Sequence, residues 1–110
     1  MQSYDGPVLV PMLVITEVAY LLASRIGAET EVRFLGDLAA GELVPETVDA
    51  GDWIRIAELV LAYRDLPLGT VDASIVAVAE RLDATTIATL DRRHLSVVRP
   101  AHIPAFDLVP

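Results

Sequence analysis

Cysteine and lysine are both missing from these 110 residues. Without cysteine there are no disulfides and no thiolate metal sites, which is compatible with a reducing compartment. Without lysine, arginine supplies all eight basic residues, a usage that reflects genome base composition rather than function. Two histidines are too few for an ordinary zinc site. Every apolar stretch is broken by charge or proline short of the ~20 residues that span a bilayer, so no membrane association is expected. Asp5, Gly6 and Pro7 interrupt the start and no basic segment precedes them, so no signal peptide is expected and a cytoplasmic location is. A glycine-rich phosphate loop, a Gly-x-Ser-x-Gly elbow and a Cys-His pair are all lacking.

What is present is apolar and acidic. Hydrophobic residues make up 54% of the chain, enough for a core and too many for disorder, and the length suits one domain spanning 1–110. Sixteen acids against eight bases give a net charge of -8. Most of these groups read as a solvated surface. The balance argues against repressor-like electrostatic binding of nucleic acid. It permits a basic partner, or an acidic pocket loaded with divalent cations.

The pattern along the chain predicts strands alternating with helices. Val8-Leu9-Val10 reads as a buried strand ended by Pro11. A helix is predicted from about Met12 to Ile26, stopped by Gly27, and a second from Glu29 to Ala40 with Val32, Leu35, Leu38 and Ala39 on its apolar face. Leu43–Val48 reads as a strand, at a sheet edge because of Pro45. Asp52 is the expected cap of a third helix, Trp53–Arg64, whose apolar face is Trp53, Ile56, Ala57, Val60 and Leu61. After the loop Asp65–Gly69, Thr70 is expected to cap a helix from Val71 to about Leu82. Thr85–Leu90 and Phe106–Val109 complete the set as strands. Such alternation argues for an α/β domain with a mainly parallel sheet.

One residue stands out against this background. Glu17 lies in the otherwise almost entirely apolar stretch Pro11–Leu22, where burial would make an unpaired carboxylate costly. Two other acids are expected near it. Asp72 falls in the first turn of its helix and Asp91 just past the strand Thr85–Leu90. A helix of about 13 residues and a strand of about six both span ~20 Å, so these two acids return to one level of an α/β unit. Glu17 follows the C-terminal end of the strand Val8–Val10, and open α/β sheets place their sites along that edge. Three like charges cluster only when protonated or bound to cations, and oxygen-only ligands suit Mg2+ or Mn2+. Taken singly, each has a plainer reading: Asp72 as a first-turn acid, Asp91 as a turn residue, Glu17 as the partner of an arginine. Asp65 reads as a loop residue or a support for the site. Arg92 and Arg93 read as solvated or as phosphate contacts, His94 as structural or exposed, and Trp53 and Tyr63 as packing.

Val8-Leu-Val-Pro followed by Thr16-Glu17-Val18 resembles the second strand and following helix of PIN-domain ribonucleases. Asp65-Leu-Pro-Leu-Gly-Thr-Val-Asp72-Ala73-Ser74 resembles their third acidic motif, and Thr89-Leu-Asp91-Arg92-Arg93-His94 their fourth. Together these look like the VapC toxins of bacterial VapBC toxin–antitoxin pairs, over essentially the whole chain. The resemblance implies a five-stranded parallel sheet flanked by helices and a metal-dependent endoribonuclease. It implies Glu17, Asp72 and Asp91 as catalytic and metal-binding acids, with Mg2+ or Mn2+ activating water for attack on an RNA phosphodiester. Arg92, Arg93 and Asp65 would act on RNA phosphates or support the site. Also implied are a homodimer and a VapB-like antitoxin whose tail blocks the site.

The family pattern begins with an apolar strand ending in aspartate, and this sequence opens at Met1-Gln2-Ser3-Tyr4 without one. Asp5 does not match, because it precedes Val8–Val10. That strand would be central, and its loss would leave a gap of ~9.6 Å, two strand spacings. The expectation is therefore an N-terminally incomplete chain, or one closed by rearrangement or a partner, with metal binding and catalysis weakened. The alternative is a degenerate, non-catalytic PIN domain that binds an antitoxin-like peptide. A phosphoacceptor domain fits poorly, since its usual lysine is absent.

Overall fold

The computed structural model describes residues 8–66, 68–88, 95 and 97–109. In chain order these form β1 (Val8–Pro11), α1 (Met12–Arg25), α2 (Ala28–Ala39), β2 (Leu43–Glu46), α3 (Ala50–Ala62), α4 (Thr70–Arg81), β3 (Thr86–Ala88) and β4 (Asp107–Val109). Helices alternate with parallel strands, as the sequence pattern predicts. Two compact units divide the chain, Met1–Thr47 and Val48–Pro110. Each contains one two-stranded parallel sheet, β1–β2 in the first and β3–β4 in the second. Among the described residues no strand pair joins them into the expected five-stranded sheet.

In the first unit, β1 and β2 run in register from Val8 opposite Leu43 to Pro11 opposite Glu46. Pro45 faces Val10 and brings no N–H, which suits a strand paired on one side. Pro11 is the last strand residue, and α1 begins at once. Ile26 and Gly27 both donate their N–H groups to the Leu22 carbonyl at 3.0 and 2.8 Å, and Gly27 takes φ 138°, a conformation closed to most side chains. α2 ends in a Schellman motif, with Glu42 N–H on Asp37 O, Gly41 N–H on Leu38 O, and Gly41 at φ 80°. Its expected apolar face is corrected. Val32 is 63% and Leu35 46% exposed, while Glu31, Phe34 and Leu38 are half-covered instead. The helix carries two adjacent apolar stripes, and periodicity alone does not say which one packs.

The second unit holds the larger core. Ile56 and Leu59 of α3 pack with Ala73, Val76, Ala77 and Ala79 of α4, joined by Leu68, Leu95, Val98 and Phe106. The expected α3 face is thus shifted: Leu59 is buried, whereas Trp53, Ala57 and Leu61 are exposed. The expected caps shift as well. Asp49, not Asp52, is the N-cap of α3, and Asp52 sits at its third position, where its carboxylate accepts the Asp49 N–H at 2.9 Å in a capping box. Asp52 is buried to 5% exposure, and Arg81 at the end of α4 donates Nε to both its oxygens at 3.2 and 3.0 Å. For α4 the N-cap is Gly69 and Thr70 is the first helical residue.

A second ion pair clamps the same two helices. Arg55 of α3 donates Nε and Nη2 to the two carboxylate oxygens of Glu80 on α4 at 2.7 and 2.9 Å. The Ala101 N–H donates to Glu80 at 2.6 Å, the His102 ring meets the Ala84 carbonyl through Nε2 at 2.7 Å, and the Arg99 N–H donates to the Tyr63 hydroxyl at 2.9 Å. These three bonds fasten the segment before β4 to the helices.

The C-terminus of α4 is another Schellman motif, with Ala84 N–H on Ala79 O at 2.8 Å and Asp83 N–H on Glu80 O at 3.2 Å. The left-handed position is held by Asp83 at φ 55° rather than by glycine. Asp83→Gly should therefore stabilise the fold by about 1 kcal/mol, visible as a rise in thermal midpoint.

Candidate active site

Asp72 is the best placed of the expected acids. The chain turns tightly after α3, with Leu66 N–H on Tyr63 O at 2.9 Å, and Leu68 buries its side chain at 2% exposure. That anchor returns the chain against the end of α3 and starts α4 there. Asp72 is then the third residue of α4, half-buried, in the turn where a helix dipole favours a carboxylate. Asp65 is exposed in the preceding turn, as a loop residue should be.

Glu17 requires a correction. It lies about a turn and a half into α1, as expected, but its side chain is exposed rather than buried in an apolar stretch. Ile15 is the only buried residue of α1. At ~100° per residue, Glu17 points ~200° away from it, to the opposite side of the helix. A hydrated carboxylate has no electrostatic need of a partner, so the desolvation argument that singled it out does not hold. Asp91, Arg92, Arg93 and His94 lie outside the described residues. Trp53, expected as packing, is 48% exposed, while Tyr63 packs against the core.

The donor chemistry fits a hard divalent cation. The expected ligands are carboxylates alone, and the chain has no thiolate to favour a softer metal. Among the described residues no three acids or histidines lie together in a group able to hold a metal.

The arginines sort by their partners. Arg55 is held by Glu80 and Glu58, and Arg81 by Asp52 and Asp49. Hydrogen bonding to Glu80 raises the Arg55 pKa against the opposing effect of burial. Burial pushes Glu80 up, but the Arg55 bonds, the Ala101 N–H and the nearby Arg55 charge outweigh it and hold the carboxyl below its ordinary range. Arg64, by contrast, is exposed just past the end of α3, and among the described residues it donates Nη1 to the Leu61 carbonyl at 3.1 Å. It lines a shallow apolar hollow of about 510 Å³ with Trp53, Ala57, Val60 and Leu61, and Thr70 of α4 lines the same hollow.

A parallel α/β chain with an acid in the first turn of α4 and no thiol chemistry defines a class, and comparison with known proteins names it. The PIN domain family matches residues 1–100, and the chain belongs to that family. It is 37% identical over 108 residues to Ribonuclease VapC26 of Mycobacterium tuberculosis, an alignment covering 98% of this chain and 79% of that protein. The chain is accordingly a PIN-domain nuclease of the VapC type, a hydrolase of the toxin–antitoxin kind. Nucleases of this type are generally dependent on divalent metal.

Proposed function

We propose that this chain is the toxin of a toxin–antitoxin pair and hydrolyses RNA phosphodiester bonds, with Asp72, Asp91 and Glu17 as the acids of its site. The observation that carries the reading is the 37% identity to a VapC ribonuclease over nearly the whole chain. The family match at residues 1–100 runs through both units, which supports a single PIN-like domain. Those three carboxylates would hold Mg2+ or Mn2+, which when bound supplies Lewis acidity and a readily ionised water. Asp72, in the first turn of α4, would supply one of the carboxylates that hold the cation. Arg92 and Arg93 would draw in the phosphodiester backbone, with Asp65 supporting the site. The test is cleavage of single-stranded RNA with Mg2+ or Mn2+ and its abolition by chelator. RNA left intact with either metal would sink the reading.

The partner in this reading is a VapB-like antitoxin with a basic tail, suited to a chain of net charge -8. Its apolar segment would lie in the hollow on α3, where Trp53 and Leu61 are exposed at 48% and 65%. Trp53→Asp should weaken antitoxin binding at least about 30-fold, as the loss of a buried aromatic anchor does, in a calorimetric titration. Unchanged affinity would place the antitoxin elsewhere. The protein is read as a cytoplasmic homodimer. No helix among the described residues is long and apolar enough to cross a membrane, and sedimentation measures the dimer directly.

A further inference from the structure

We propose that the partner segment seated in the hollow on α3 carries a carboxylate beside its apolar anchor, and that this carboxylate pairs with Arg64. The proposal rests on the antitoxin reading above and adds the chemistry of the docking segment: an acid at the anchor of a partner whose tail is basic.

The hollow is built for an apolar group. Ile56 is buried at its floor, and Trp53, Ala57, Val60 and Leu61 of α3 form its walls. Trp53 and Leu61 are 48% and 65% exposed, and contiguous apolar surface left open to water in this way marks an interaction site. One charge interrupts it. Among the described residues Arg64 is the only ionisable residue on the lining. Its Nη1 donates to the Leu61 carbonyl at 3.1 Å, which folds the guanidinium back over the last turn of α3, to the rim of the hollow. The negative end of the helix dipole favours a cation there.

That guanidinium has donors to offer. Arg55 is held by Glu80 and Glu58, and Arg81 by Asp52 and Asp49, whereas no carboxylate among the described residues lies within salt-bridge distance of Arg64. The bond to Leu61 leaves the rest of its planar fork open, and that fork matches the two oxygens of a carboxylate. Apolar walls beside the pair exclude water and strengthen it. About two turns of α3, roughly 12 Å, separate Trp53 from Leu61, where the guanidinium is held. A partner reaching both carries its anchor and its acid about eight positions apart in a helix, or about four in a strand.

A single acid suits this rim better than the phosphates of RNA. The walls are aliphatic apart from Trp53 and Thr70, and give ribose hydroxyls and base edges little to bind. Asp65, next to Arg64 in sequence, and Glu58, next to Ala57, are both exposed. Two such carboxylates oppose a run of phosphates more than one acid.

The test is selection of a displayed library of random peptides on the wild type and on Trp53→Asp, Arg64→Glu and Arg64→Lys, with a thermal melt of each. Peptides selected by the wild type should carry an aliphatic or aromatic anchor and, at the spacing above, an enriched aspartate or glutamate. Trp53→Asp should lose them. Arg64→Lys should keep the acid, and Arg64→Glu should exchange it for arginine or lysine. In calorimetric titrations of the best wild-type peptide, Arg64→Gln and an amide in place of the peptide's acid should each weaken binding about fivefold, and both together little more. An acid preference unmoved by Arg64→Glu, or basic residues at that spacing in the wild-type selection, overturns the pairing. Displacement of the peptide by single-stranded RNA, lost in Arg64→Glu, makes RNA the occupant and overturns it as well. A selection that yields no Trp53-dependent peptide overturns docking in the hollow altogether. None of these readouts uses RNA cleavage, so a failure of the nuclease reading in its own assay is distinguishable from a failure here.

Discussion

Asp72→Asn should reduce RNA cleavage at least about 100-fold while leaving the fold intact, a loss of the size seen when one charge-stabilising group is removed from a site. The substitution keeps the shape and the polar first-turn position of α4, and removes only the negative charge that would hold a divalent cation in the proposed site. The loss should be in kcat, and raising the Mg2+ concentration should recover part of it, because a weakened site can still be filled by mass action. Thermal melts should coincide with the wild type within a degree or two, since a first-turn asparagine gives up only about 0.3–1 kcal/mol of dipole interaction. Full activity in Asp72→Asn, or loss explained by unfolding, would remove Asp72 from the site.

Glu80→Gln should cost about 2–3 kcal/mol of stability at neutral pH, because it leaves Arg55 without its charged, doubly bonded partner and weakens the hold on Ala101. The loss falls short of that for a fully buried pair, since the Arg55 side chain is 31% exposed. The effect should depend on pH with a definite sign. Glu80 is held below its ordinary pKa in the folded protein. Its contribution is therefore complete above the unfolded value of about 4.3 and is lost as pH falls through the lower folded value. Urea melts at about pH 7 and about pH 3 should show the difference between wild type and variant shrinking at the lower pH. A constant difference would mean that the pair acts through packing, not charge. The Arg55→Ala variant closes a double-mutant cycle that isolates the pair itself.

Much of this molecule was open to sequence reading, and the parts that were not share a cause. α4 is legible because its 3.6-residue period speaks for itself; β1 is legible as a strand but not, as expected, a buried one, since Val8 is 43% and Leu9 47% exposed. The start of α3 was placed three residues late: Asp49 and Asp52 are both good cap formers, spaced so that each can serve the other. The faces of α2 and α3 were misassigned because each helix carries more apolar residues than one stripe needs. In α3 the stripe that packs runs through Ile56 and Leu59, leaving Trp53 and Leu61 outside. Glu17 was read as buried from its apolar neighbours in sequence, but neighbours one and two residues away on a helix face other directions.

The sequence alone determined the chemistry available: carboxylates and arginines, with no thiol, no lysine and too few histidines for an ordinary zinc site. It also determined the family, because the three acidic motifs follow in order. Which charges remain available for function was decided by the tertiary structure. Arg55 and Glu80 lie 25 residues apart, as Arg81 and Asp52 lie 29 apart, and only the packing of α3 on α4 turns them into partners. Residue type is a local property, whereas pairing and burial depend on neighbours distant in the chain, and those exist only once it has folded.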